Sequence, residues 1–176
     1  MLKNLFKPRP SAREGHDLYA RAVEQARSPA FYTTLGVADR IDARFELYTL
    51  HVLLLVLRLR DEGTDAGREA AQDLFDVYVS ALDHALREEG VGDISVGKKM
   101  RKLGEALYGR MTAYEPPLRA GDAATLADTL ARNVYADPDS AQAQALAAYA
   151  LAARTGLAAQ PAASLARGPQ WPEITS

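Results

Sequence analysis

The stretch RIDARFELYTLHVLLLVLRLR, residues 40–60, constrains this chain more than any other. Across residues 47–59 it is apolar on almost every side of a helix, interrupted only by Thr49, His51 and Arg58. A helix that is apolar all round belongs in the middle of a protein or in a membrane. The fully apolar run is about half of the ~20 residues that a span requires, and Arg58, Arg60, Asp61 and Glu62 close it. The run therefore reads as the innermost helix of a helical domain. The expected fold is all-α, a single-domain bundle of about six helices around a central apolar helix at about 39–62.

The totals agree. A chain of 176 residues is long enough for one domain with a proper core. Hydrophobic residues at 48% and charged residues at 25% are those of an ordinary globular protein. With a net charge of -2 there is no bulk attraction to nucleic acid, so none is expected as a partner and any basic surface must be local. The absence of cysteine excludes disulfides, thiolate metal sites and cysteine nucleophiles, and suits a reducing compartment.

Three segments are expected: an arm over 1–10, a helical domain over 11–157 and an irregular tail over 158–176. The arm, MLKNLFKPRP, mixes Leu2, Leu5 and Phe6 with Lys3, Lys7 and Arg9, and shows no secretory signal. It reads either as a frayed terminus or as a membrane-surface contact made by Leu2, Lys3, Phe6, Lys7 and Arg9. A first helix is expected over 11–27, capped by Ser11 with Glu14 at the capping-box position, and Leu18, Ala22 and Ala26 inward. Ser28-Pro29 ends it. The connection that follows carries Phe31, Tyr32 and Leu35, either a lid on the core or an exposed contact patch, and Gly36 turns the chain.

The central helix is expected to take Asp39 as its cap and to stop at Gly63. A helix over 65–89 has a wide apolar stripe through Leu74, Tyr78, Leu82 and Leu86, and ends at Gly90 and Gly92. Another runs over 96–114 with Met100, Leu103, Leu107, Met111 and Tyr114 inward, ended by Pro116-Pro117. A shorter helix over 122–136 turns Leu126, Leu130 and Val134 inward. The last helix spans 140–155 with Gly156 at its end, and Trp171 in the tail is expected to fold back onto the domain.

Chemistry-bearing patterns are sparse. Residues 92–99, GDISVGKK, nearly match a phosphate-binding loop, but Lys99 replaces the hydroxyl residue that would hold magnesium and no strand precedes the loop. Lys98, Lys99, Arg101 and Lys102 crowd the expected start of a helix, where bases are disfavoured by the helix dipole. They read either as a solvated face or as a docking patch for an acidic partner segment or lipid phosphate. His51 reads as a core residue donating to a carbonyl; His16 and His84 read as surface or boundary residues. No zinc-ligand spacing or nucleophile elbow occurs, so no catalytic, metal or cofactor residue is assigned and a non-enzymatic role is expected.

The segments PAFYTTLGVADRIDARFELYTLHVLLLVLRLR and AQDLFDVYVSALDHALREEGVGDISVGKKMRKLGEALYGRMTAYEPPL resemble the ubiquinol–cytochrome c chaperone family, assembly factors of the respiratory bc1 complex. The likeness covers residues 29–118 and runs more loosely to 135. Its most specific piece is GVGDISVGKKMRK, residues 90–102, with the YGR at 108–110. The short arm looks like the bacterial branch. The resemblance implies an all-helical, non-enzymatic protein without a cofactor that acts on cytochrome b, the membrane-embedded subunit. Mitochondrial members work with a small partner protein. The implied location is cytoplasmic, with peripheral contact to the inner membrane. Under this resemblance Phe31, Tyr32 and Leu35 become candidates for apolar contact with the client, and Lys98, Lys99, Arg101 and Lys102 for charge.

Overall fold

Helix α3, Ile41–Asp61, is the axis of the molecule. The structure, a computed structural model, describes the backbone of residues 10–88 and 93–175, and side chains over 13–88 and 97–175. Leu47, Leu50, Leu53, Leu54, Leu55 and Leu57 are all buried, and residues that far out of phase cover the whole circumference of a helix. Burying each such side chain contributes about 1.5–3 kcal/mol, so this helix is the main source of apolar stabilisation.

The other elements are α1 (Pro10–Ala26), α2 (Pro29–Thr33), α4 (Asp65–Glu88), α5 (Asp93–Ala120), α6 (Ala123–Leu130), α7 (Gln142–Ala158) and α8 (Ala162–Leu165). A π-helical turn, Ala131–Tyr135, continues α6 and ends where Ala136 adopts a left-handed conformation. There is no strand among the described residues. Helix α1 packs on α4 and α3, α4 on α3, and α6 on α7, with α5 and α7 also leaning on α3. Leu18, Ala22 and Ala26 face inward from α1, and Leu126, Leu130 and Val134 from α6 and its π turn, as their spacing predicts.

Several boundaries differ from the expectations. Helix α1 already includes Pro10, so Ser11 lies in its first turn rather than before it. Asp39 does not cap α3: its carboxylate is held by Arg44 Nε at 2.7 Å, and Arg40 occupies the cap position without a side-chain bond. Gly63, with φ of +72°, does end the helix region there. Helix α5 runs straight through Pro116 and Pro117. Proline's fixed φ suits a helix, and burial of Tyr114, Pro117 and Leu118 outweighs the lost N–H donors. Gly156 likewise sits inside α7.

The tail contains the short helix α8, and Trp171 folds back onto the domain as expected. Leu165 of α8 is buried, and Trp171 packs edge-on against His51 with ring centroids 5.2 Å apart. Gln160 latches this segment: its Oε1 accepts from Gln170 N–H at 2.7 Å and its Nε2 donates to the Gln170 carbonyl at 2.9 Å. Arg58 secures the end of α7 by donating to the carbonyls of Leu157 and Gln160 at 2.9 and 2.7 Å.

Candidate protein-binding surface

Toward its outer end the α4–α5 hairpin leaves the core, with Leu82 still packed against it. Beyond Tyr78 on α4, and before Leu107 on α5, no described side chain is fully buried. Leu82 and Leu86 on one helix, and Met100 and Leu103 on the other, are only half-buried. The wide stripe expected along 65–89 thus faces the core as far as Leu82, fully buried only up to Tyr78. Gly90 and Gly92 lie outside the described residues.

Lys98, Lys99, Arg101 and Lys102 are exposed on this outer half. Because α5 begins at Asp93, they lie beyond its first turn. Their N–H groups belong to the helix ladder, so the expected anion-seeking helix start is not where these bases are. Gly97 and Lys98 are helical too, which removes the phosphate-cradling loop that the sequence nearly spells. Arg101 pairs with Glu105 at 3.2 Å; Lys98, Lys99 and Lys102 form no ion pair among the described residues.

The connection after α1 behaves differently from the basic patch. Phe31 and Leu35 are buried, which corrects the idea that they offer apolar surface: they close the core over α3. Phe31 meets Tyr149 and His51 edge-on at 5.0 and 5.2 Å. Tyr32 is half-buried and donates its hydroxyl to the Ala26 carbonyl at 3.0 Å, lining an open cavity of about 540 Å³ with Arg27, Asp39 and Arg44. The arm residues Leu2, Lys3, Phe6, Lys7 and Arg9 lie outside the described residues.

Two buried polar groups sit behind these surfaces. His51 is 0% exposed, with Nδ1 2.7 Å from the Leu47 carbonyl and Nε2 2.9 Å from the Tyr149 hydroxyl. Tyr149 in turn accepts from Gln25 at 3.0 Å. A carbonyl can only accept, so Nδ1 carries the proton and Nε2 accepts from tyrosine. Burial holds His51 neutral, its pKa lowered to about 4 despite the backbone hydrogen bond. It is the core histidine donating to a carbonyl that the sequence suggests.

Glu46, which the sequence reading missed, is 4% exposed on α3. Arg110 Nε donates to its Oε1 at 2.9 Å, and Tyr114 donates to Oε2 at 3.3 Å. Burial raises the Glu46 pKa more than Arg110 and Tyr114 lower it. Arg110 belongs to the YGR piece, so a buried acid to meet it was the available signal. This pair anchors the inner half of α5 to α3 and leaves the outer half free. No group of three or more residues among those described is arranged to hold a metal ion. No described helix is long and apolar enough to cross a membrane.

An all-helical domain wrapped on one apolar helix, with a two-helix hairpin displayed at its side, is the class this architecture defines. The sequence matches the family described as ubiquinol-cytochrome C chaperone over residues 33–171. The structure superposes on the crystal structure of the Cbp3 homolog from Brucella abortus with a TM-score of 0.83. The two are 34% identical, and the match covers 99% of this chain and 98% of that one. A comparison with proteins of curated function gave no match. The chain belongs to the ubiquinol–cytochrome c chaperone family.

Proposed function

We propose that this protein is a non-enzymatic assembly chaperone that binds cytochrome b during biogenesis of the bc1 complex. The observation that carries the reading is the match to the family over 33–171 together with the fold shared with the Brucella abortus Cbp3 homolog. A chaperone for a membrane subunit needs displayed apolar surface and local positive charge, not a catalytic constellation. The outer α4–α5 hairpin offers both: half-buried Leu86, Met100 and Leu103 beside exposed Lys98, Lys99, Arg101 and Lys102. Arm residues Leu2, Lys3, Phe6, Lys7 and Arg9 supply contact with the anionic membrane surface where cytochrome b is inserted.

The test is genetic and biochemical. Deleting the gene should lower cytochrome b and assembled bc1 complex; normal levels of both would refute the reading. The double variant Lys98→Glu/Lys99→Glu should weaken cytochrome b pull-down without changing the helical circular dichroism. Unchanged capture would remove the basic patch from the binding surface while leaving the chaperone role intact.

A further inference from the structure

The open cavity of about 540 Å³ lies between the end of α1, helix α2 and the start of α3. Arg27, Pro29, Tyr32, Thr33, Asp39 and Arg44 line it. Pro29 is the one aliphatic residue among them, so an apolar ligand finds little to bury against. Charge decides what the cavity suits. Two guanidinium groups stand against one carboxylate, which leaves one positive charge over. The Tyr32 hydroxyl lies within electrostatic reach of Arg27, Arg44 and Asp39, so the three charges share one site.

The surplus charge sits on Arg27. Its Nε donates to the Tyr48 hydroxyl at 2.7 Å, and its guanidinium carbon lies 5.8 Å from the Tyr48 ring centroid. These contacts orient the group without neutralising it, because a tyrosine hydroxyl is uncharged at neutral pH. Arg27 forms no ion pair among the described residues. The acids nearest to it along the chain are engaged: Glu24 with Arg21 at 2.7 Å, Asp39 with Arg44 at 2.6 Å and Asp42 with Arg40 at 3.3 Å. Both terminal nitrogens of Arg27 therefore remain for a ligand. Arg44 adds one more donor. Its Nε and Nη2 are bound to Asp39 Oδ1 at 2.7 and 2.6 Å, which leaves Nη1. A planar carboxylate fits a single fork, whereas the separated oxygens of a tetrahedral phosphate can meet donors from two arginines. Asp39 sets a further condition. Its negative charge disfavours a doubly charged ligand, and its Oδ2, which accepts from no described residue, is an acceptor for a hydroxyl.

We propose that this cavity binds a singly charged phosphodiester that carries hydroxyls, with Arg27 and Arg44 on the phosphate oxygens and Asp39 on a ligand hydroxyl. Such a group occurs on soluble glycerophosphodiesters and in the headgroup of anionic phospholipids. Ile41, 76% exposed, lies between Asp39 and Arg44 in the chain and gives a membrane an apolar contact that a soluble ligand would not use. The site does not rest on the chaperone reading, and cytochrome b capture tests that reading separately.

Two arms test it. In the first, the full chain is titrated with glycerophosphoglycerol, with dimethyl phosphate and with acetate, followed by NMR chemical shifts. Glycerophosphoglycerol should bind several-fold more tightly than dimethyl phosphate, and acetate most weakly. Arg27→Gln should weaken glycerophosphoglycerol about ten-fold, and Arg27→Lys, which keeps the charge and loses the fork, several-fold. Asp39→Asn frees Arg44 and removes the repelling charge, so it should tighten dimethyl phosphate several-fold, a gain that misfolding cannot mimic. Arg27 and Asp39 are exposed, so unchanged melting curves are expected. No binding of glycerophosphoglycerol, equal binding of acetate, or indifference to Arg27→Gln overturns the proposal. So does full affinity in Arg27→Lys, which would reduce the site to charge alone.

In the second arm, the full chain is sedimented with phosphatidylglycerol and with phosphatidylcholine vesicles at physiological ionic strength. Retention on phosphatidylglycerol that is lost in both Arg27→Gln and Ile41→Ser assigns the ligand to the membrane. Binding of glycerophosphoglycerol that depends on Arg27, without retention on vesicles, assigns it to a soluble phosphodiester and leaves the site standing. Retention that is indifferent to Arg27→Gln, or equal on the two kinds of vesicle, together with no binding of glycerophosphoglycerol, overturns the site.

Discussion

His51 and Glu46 are two titratable side chains in the interior of one helix, and they push stability in opposite directions with pH. The unfolded chain protonates His51 near its ordinary value of 6.5, whereas the folded chain resists down to about 4. Between those values the unfolded state binds more protons, so stability rises with pH across the window. Acidification from pH 7 to 4 should cost about 3 kcal/mol through this one residue. The prediction is checked by comparing denaturant midpoints at both pH values for wild type and His51→Gln, the variant showing the flatter profile. Glu46 has the reverse sign. Its folded pKa is raised, so its contribution is full below the ordinary value of 4.5 and is lost as pH rises through the folded value. Arg110 limits that loss. Arg110→Met should therefore destabilise by about 3–5 kcal/mol at pH 8 and by less at lower pH, because burial favours the neutral form of the carboxyl left without its partner. Chemical denaturation at pH 8 and at the lower pH measures the difference.

Helix termini and glycines show how far an element can be read from its own residues. The apolar periodicity of α1 and α6 was legible because each buries the face that its spacing defines, and α3 was legible because its run is apolar all round. The run of α5 through Pro116-Pro117 was not, since the burial that overrides the local preference comes from other parts of the chain. The same holds for Gly156, which looks like a stop and is a continuation. Glycines inside helices divide by what surrounds them. A Cβ at Gly15 would sit 2.9 Å from the backbone of Asp73, so this glycine lets α1 and α4 approach closely. A Cβ at Gly104 would meet nothing within 4 Å. Gly15→Ala should thus lower stability by about 1–3 kcal/mol, whereas Gly104→Ala should raise it by about 0.5–1 kcal/mol. Thermal melts of the two variants test both signs.

At the scale of the whole molecule, fold class and the central position of α3 were legible in the apolar run, and family membership in the motif over 90–102. The surface was less legible. Sequence distinguishes apolar from charged residues, but Phe31 and Leu35 could be assigned to the interior only once α3 and α7 were seen beneath them. Tyr108 enters the sequence reading only as part of the YGR piece and is not among the residues expected inward, but its 75% exposure is visible only once the helix is placed. The seating of the C-terminal segment by Gln160 has a practical consequence. The chain's single tryptophan rests against His51, beside the deepest part of the interior. Its emission is a built-in gauge of whether that segment is docked. Gln160→Ala removes both bonds to Gln170 and should shift the emission to the red while the far-ultraviolet signal stays unchanged. A simultaneous change in both would mean that the tail and the bundle come apart as one cooperative unit.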